Sequence, residues 1–348
     1  NIAGISAYSA AWSFTVTQTT SSYHFDQAWN MVSLPMRLYD NTKEHLFPTS
    51  ISSAFSYLQD FGYVSEESLK VGVGYWLKFA SGEDIPFTGF ITELETIEVK
   101  AGWNMIGSIS DNILANAILQ IPEGNIISPF YNYRGGYQFA DTIKPAKAYW
   151  VKTDTAGKIV MKDSNIRKTI TSKNINCAIE GYSKLIIEDA AHHRQVLYFG
   201  KRDNEDSNDD LYGLPPIPPP GIFDVRYASQ RNVEVISHGV AGIFPINLSF
   251  VEYPVRMQCQ LPVQSLKVNI KIDGRTIPIG SIGDVELTSP PSSVILEISD
   301  VEQLPTRFSL YQNYPNPFNP TTSIKYELSF SNHVVIKIYD LIGRELET

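Results

Sequence analysis

Apolar and polar residues alternate with a period of two along much of the chain, the pattern of strands with one buried face. Residues 11–17 (Ala-Trp-Ser-Phe-Thr-Val-Thr) form the first such run, and Gln18 to Ser22 reads as a polar linker after it. Alternation resumes around Trp29-Asn30-Met31, with Phe25 on the apolar side. Later runs at 184–188, 194–199, 232–236, 246–251, 266–272 and 293–298 are separated by turn residues, Asp273-Gly274 being a strong hairpin signal. Their succession predicts an antiparallel β-sandwich. A helical period is legible at one place, where Asp111 is placed to cap a turn carrying Ile113, Leu114, Ala117, Ile118 and Ile121 on one face. Pro122 and Gly124 would end it.

The first half repeats itself without a gap, 74 residues apart. Trp29-Asn30-Met31 returns as Trp103-Asn104-Met105, and Pro48 as Pro122. Tyr57 returns as Tyr131, Gly62-Tyr63 as Gly136-Tyr137, Lys70 as Lys144, Tyr75-Trp76 as Tyr149-Trp150, and Lys78 as Lys152. Aromatics, Gly and Pro fix packing and turns, so their recurrence predicts two copies of one fold. Each copy should have a leading strand, a helical stretch, a Tyr-rich hairpin and a closing strand. The two should pack as a pseudo-symmetric pair, each burying the other's tryptophans. The alternative for Trp29, Trp76, Trp103 and Trp150 is an aromatic platform for sugars.

Composition narrows the function. A chain of 348 residues is long for one core, so two or three domains are expected. Charged residues make up 19% and the net charge is −9, which leaves no basic face for nucleic acid. No apolar run is long enough for a transmembrane helix. Cys177 and Cys259 either pair in an oxidising compartment or stand as two small buried groups. Within the acidic stretch 203–210, Asp206, Asn208 and Asp210 alternate as oxygen ligands would for Ca²⁺; the other reading is a solvated loop. The run Pro215-Pro216-Ile217-Pro218-Pro219-Pro220-Gly221 must be polyproline II and is expected as a stiff spacer or edge cover, with a peptide-recognition ligand as the alternative. His192 and His193, near a turn between two strands, could each ligate a metal, but neighbours on a strand point to opposite faces, so a shared site is not expected. His-Glu-x-x-His, Gly-x-Ser-x-Gly and phosphate-loop signatures do not occur, and the expectation is a non-catalytic chain.

The end of the chain is the most distinctive part. Prolines 315, 317 and 320 force an extended, turning segment, after which Ile324, Tyr326 and Leu328 alternate, then Val334, Ile336 and Ile338. In order, Asn313, Pro315, Asn316, Pro317, Phe318, Asn319 and Pro320, then Tyr339, Asp340, Gly343 and Arg344, resemble the type A C-terminal sorting domain of type IX secretion substrates. That resemblance implies a partial Ig-like sandwich, recognition by the type IX machinery, and release or surface attachment when the domain is removed. The chain stops at Thr348, about halfway through the family domain, so a partner should cover the strands that remain. The segments 29–35 and 72–78 resemble a module of secreted proteins from Bacteroidota-like bacteria, and 199–226 resembles a segment seen before such sorting domains. Asp141-Thr142-Ile143 and Asp154-Thr155-Ala156 match the O-glycosylation pattern of these bacteria, at Thr142 and Thr155.

The expected organisation is mostly β. Residues 1–22 end an upstream domain, 23–165 hold the two repeats (23–96 and 97–165), 166–302 form the sandwich, and 303–348 form the partial sorting domain. The expected function is a non-catalytic structural or adhesive protein, extracellular or on the outer cell surface, with copies of itself or surface glycans as partners. Two alternatives accompany it: an accessory region of a secreted hydrolase, and a carbohydrate-binding module. No cofactor is expected beyond the Ca²⁺ alternative.

Overall fold

The computed structural model describes residues 17–162, 181–201, 212–237, 240–261, 266–279, 282–300, 308–328, 334–340 and 342–347. The first copy runs β1 (Thr19–Phe25), β2 (Ala28–Ser33), β3 (Met36–Arg37), α1 (Lys43–Leu46), β4 (Ala54–Leu58), β5 (Gly62–Glu66), β6 (Gly74–Phe79) and β7 (Glu83–Ile91). The second runs β8 (Leu94–Val99), β9 (Gly102–Ile106), β10 (Ile113–Leu114), β11 (Leu119–Ile121), β12 (Phe130–Tyr133), β13 (Tyr137–Ala140), β14 (Thr142–Ile143), β15 (Tyr149–Thr153) and β16 (Gly157–Lys162). Sheet β2-β6-β4-β5 of the first copy matches β9-β15-β12-β13 of the second strand for strand, and β1-β7 matches β8-β16.

Two expectations fail here. The stretch expected as a linker, Gln18 to Ser22, is already strand from Thr19: Thr20 and Ser22 lie on the exposed face of β1, Thr19 and Ser21 on the side of Phe25, and Thr20 and Thr88 hydroxyls meet at 2.8 Å across the β1–β7 pair. Polarity alone misread it, because Thr is a good strand residue when one face meets water. The helix expected from Asp111 is absent; β10, one 3-10 turn (Ala115–Ala117) and β11 stand there instead. Ile113 and Ile118 are buried, but Leu114 and Ile121 are exposed. Short β-sheet pairings, β10 with β14 and β11 with β16, satisfy the backbone and suit β-branched isoleucines. The first copy does hold a one-turn helix, α1, in the comparable stretch.

The copies meet about a pseudo-two-fold axis. Val32 bridges Lys147 and Val73 bridges Ile106. Ser33 N–H donates to Ala146 O at 3.0 Å, and Gly107 N–H donates to Gly72 O at 2.9 Å. Each pair becomes the other when 74 is added to its first-copy residue and taken from its second. Within each copy the repeated Asn clamps its turn: Asn30 Nδ2 donates to Asp26 O and Ala28 O, and Asn104 Nδ2 to Lys100 O and Gly102 O.

The third unit is a two-sheet sandwich of β17 (Ser183–Glu188), β18 (Arg194–Lys201), β19 (Asp224–Tyr227), β20 (Val233–Ile236), β21 (Ala241–Ser249), β22 (Val255–Gln260), β23 (Leu266–Ile272), β24 (Arg275–Ile279), β25 (Ile282–Leu287) and β26 (Val294–Asp300). One sheet is ordered β20-β18-β17-β22-β25 and the other β19-β21-β26-β23-β24. All its pairs are antiparallel except β18–β20, which is parallel. Asp273 and Gly274, both at positive φ, turn β23 into β24 as the sequence suggests. Leu185, Ile187, Leu197, Val225, Met257, Ile270 and Leu296 fill the space between the sheets. Cys259 is buried in that core, and desolvation pushes its thiol up to about 12. Cys177, its candidate partner, lies outside the described residues. Four short strands end the chain: β27 (Ser309–Leu310), β28 (Tyr326–Glu327), β29 (Ile338–Tyr339) and β30 (Glu345–Glu347).

Candidate functional site

Two places concentrate the residues singled out by sequence. The first is the C-terminal motif. Tyr314 and Ser323 exchange both backbone hydrogen bonds at 3.0 Å, closing a loop over the prolines. Inside it Asn313 Nδ2 donates to Thr322 Oγ1 at 3.0 Å, and that hydroxyl donates to Pro315 O at 2.8 Å. Asn316, Pro317, Phe318, Asn319 and Pro320 are exposed. The second half of the motif is another local turn. Asp340 Oδ1 accepts from Ile342 N–H and Arg344 N–H, while Arg344 Nε donates to Asp340 Oδ2 at 2.7 Å. The Arg344 backbone and side-chain bonds hold the Asp340 carboxyl below its ordinary range. Gly343 takes φ +82°, a conformation costly for other residues. The motif residues thus build two hydrogen-bonded turns, joined to short strands. No described residue of 308–347 is buried, so Leu310, Tyr314, Phe318, Val335, Ile338 and Tyr339 present apolar surface.

The second place is an aromatic seam between the two repeats and the sandwich. Trp76 packs edge-on against Tyr133 and Tyr137 of the other copy, with ring centroids 4.8 and 6.5 Å away. Trp150 returns the arrangement against Tyr57 and Tyr63, at 4.9 and 6.4 Å. Both tryptophans are 0% exposed, so neither has a face for a sugar. Trp29 and Trp103 are half-buried on the flanks, and Lys78 Nζ sits 5.9 Å from the Trp29 ring centroid. Burial pushes the Tyr63, Tyr131, Tyr133 and Tyr137 hydroxyls well above their usual range.

The sandwich reaches the seam through two connections. Gln195 from β18 accepts from Tyr137 N–H at 2.9 Å, and Arg194 N–H donates to Gly135 O at 2.6 Å. The proline segment then crosses the aromatic rings, with Leu214 and Ile222 buried among them. Arg226 of β19 holds it from the sandwich side. Arg226 is 1% exposed, donates to both oxygens of Asp224 at 2.6 and 2.7 Å, and donates through Nη1 to Pro215 O at 2.8 Å. This pair escaped sequence reading, although its Asp-x-Arg spacing puts both side chains on one face of a strand. The recurring tyrosines were visible; their role in the opposite copy was not.

The remaining candidates do not converge. Asp206, Asn208 and Asp210 lie outside the described residues. Thr142 sits in β14 with its hydroxyl donating to Asp141 Oδ1, and Thr155 is exposed in the β15–β16 turn, donating to Asn125 Oδ1; both distances are 2.9 Å. His192 is exposed and pairs with Glu188, whereas His193 is mostly covered and pairs with the buried Asp189 at 2.9 Å. Among the described residues no three His, Cys, Asp or Glu side chains gather as a metal site, and no helix is long and apolar enough to cross a membrane. No family model, curated protein or solved structure matches the chain.

Proposed function

We propose that this chain is part of a bacterial protein exported by type IX secretion, and that it acts outside the cell as a non-catalytic structural or adhesive component. The observation that carries the reading is the ordered motif from Asn313 to Pro320 and from Tyr339 to Arg344, a combination unlike ordinary loops. Its exposed apolar strands fit a segment made to be handed to other proteins. A structural role accords with how the chain uses its chemistry. Trp76, Trp150, Tyr131, Tyr137 and the buried Arg226–Asp224 pair are committed to joining modules.

The test is localisation of the gene product in a bacterium with a working type IX system. The unaltered protein should be recovered from the medium or the outer surface. Combined Asp340→Ala and Arg344→Ala substitution, which dismantles one motif turn, should leave it behind the outer membrane. Equal export of the two proteins would sink the proposal.

A further inference from the structure

Segment 214–222 crosses the aromatic seam without strand partners of its own. Five of its nine residues are prolines. Their rings hold φ near about −65° and their nitrogens donate no hydrogen bond. The run is therefore extended before it touches anything, with about three residues per turn. Burial follows that period: Pro215 and Pro218 are buried, while Ile217 and Pro220 are exposed.

What the segment and its immediate flanks offer the seam is carbonyl oxygen. Tyr131 Oη donates to Gly213 O at 2.9 Å, Arg226 Nη1 to Pro215 O at 2.8 Å, Tyr137 Oη to Pro216 O at 3.3 Å, and Tyr133 Oη to Phe223 O at 2.9 Å. Aromatic walls with donors aimed at the carbonyls of a proline-rich chain are the chemistry by which proteins bind polyproline II peptides. We propose that the seam is a binding site for a proline-rich segment in the polyproline II conformation, occupied in cis by residues 214–222. The buried indole N–H groups of Trp29 and Trp150 have no acceptor, so the cis segment leaves donors unmatched in the same aromatic cluster. Unmatched buried donors are costly, and a proline chain brings acceptors with almost no N–H groups of its own. The inference does not depend on the export route.

The test uses the whole chain and a labelled synthetic peptide with the sequence of residues 212–223. Replacing Pro215, Pro216, Pro218 and Pro219 together by Gly removes the preorganisation that keeps the cis segment seated. This variant should bind the peptide saturably by fluorescence anisotropy, at least about tenfold more tightly than the unaltered chain does. Adding Tyr131→Phe and Tyr133→Phe should weaken that binding by about tenfold or more. A peptide with its prolines changed to Ser should not bind. If the glycine variant loses its near-UV circular dichroism, Leu214→Ala, which removes one apolar anchor and keeps every proline, carries the same comparison. A folded variant that gains no peptide binding overturns the proposal, as does binding indifferent to the tyrosine hydroxyls or to the prolines.

Discussion

Ala28 and Gly102 hold the same place in the two copies, and both take positive φ, 71° and 95°. Ala146 and Gly72 repeat the relation at 62° and 83°. The turn shape is thus kept where the residue differs, and the Asn30 and Asn104 clamps explain how. An L-residue in this region costs roughly 1–2 kcal/mol, offset in part by the greater unfolded-state freedom of Gly. Ala28→Gly should therefore raise stability by about 0.5–1 kcal/mol, and Gly102→Ala should lower it by about 1 kcal/mol, both read from urea unfolding. The buried tyrosines set an alkaline limit. Desolvation pushes the Tyr75 and Tyr149 hydroxyls up to about 12, although each accepts a backbone N–H, from Lys70 and Lys144. Because the folded value lies above the unfolded value of 10.0, the folded state binds more protons between the two. Stability should hold up to about pH 10 and decline progressively as pH rises through 12, with tyrosinate absorbance appearing alongside unfolding. Recurrence made these residues legible in the sequence, but the positive φ at two alanines was hidden, because Ala carries no signal for it.

At the scale of elements, the copies approach closely where Gly74 of β6 faces Ala148, its counterpart in the repeat. A Cβ on Gly74 would lie 2.8 Å from the Ala148 Cβ and 2.9 Å from Ile106 O. Gly74→Ala should cost about 1–3 kcal/mol by overpacking. Gly82→Ala, whose added carbon would have its nearest neighbours at 3.7 Å, serves as the control and should be close to neutral in thermal unfolding. Strands that alternate cleanly, such as β23 and β26, were readable. β19 was not: its Asp224 and Arg226 do alternate with Val225 and Tyr227, but over only four residues, and its polar face is buried as well. The expected helix failed for a related reason: isoleucines at near-helical spacing also serve short strands when neighbouring chain supplies the hydrogen bonds.

At the scale of the molecule, each repeat has a core, the sandwich has a third, and the aromatic seam joins them as a fourth that no single module owns. The mostly β class was legible from alternation. That the two repeats bury each other's tryptophans was expected from their recurrence; the sandwich's share of the seam was not legible, because it depends on how separate modules meet. The described residues of the C-terminal segment enter none of these cores. This suits a part that directs the protein's passage and is then dispensable. The most direct measurement is the intact mass of the protein recovered from the producing cells and from their medium. The account expects an extracellular or surface-bound form whose C-terminus has been cut before Phe308, with the motif absent from the mature product. Protein found only inside the cell, with residues 308–347 still attached, would contradict it.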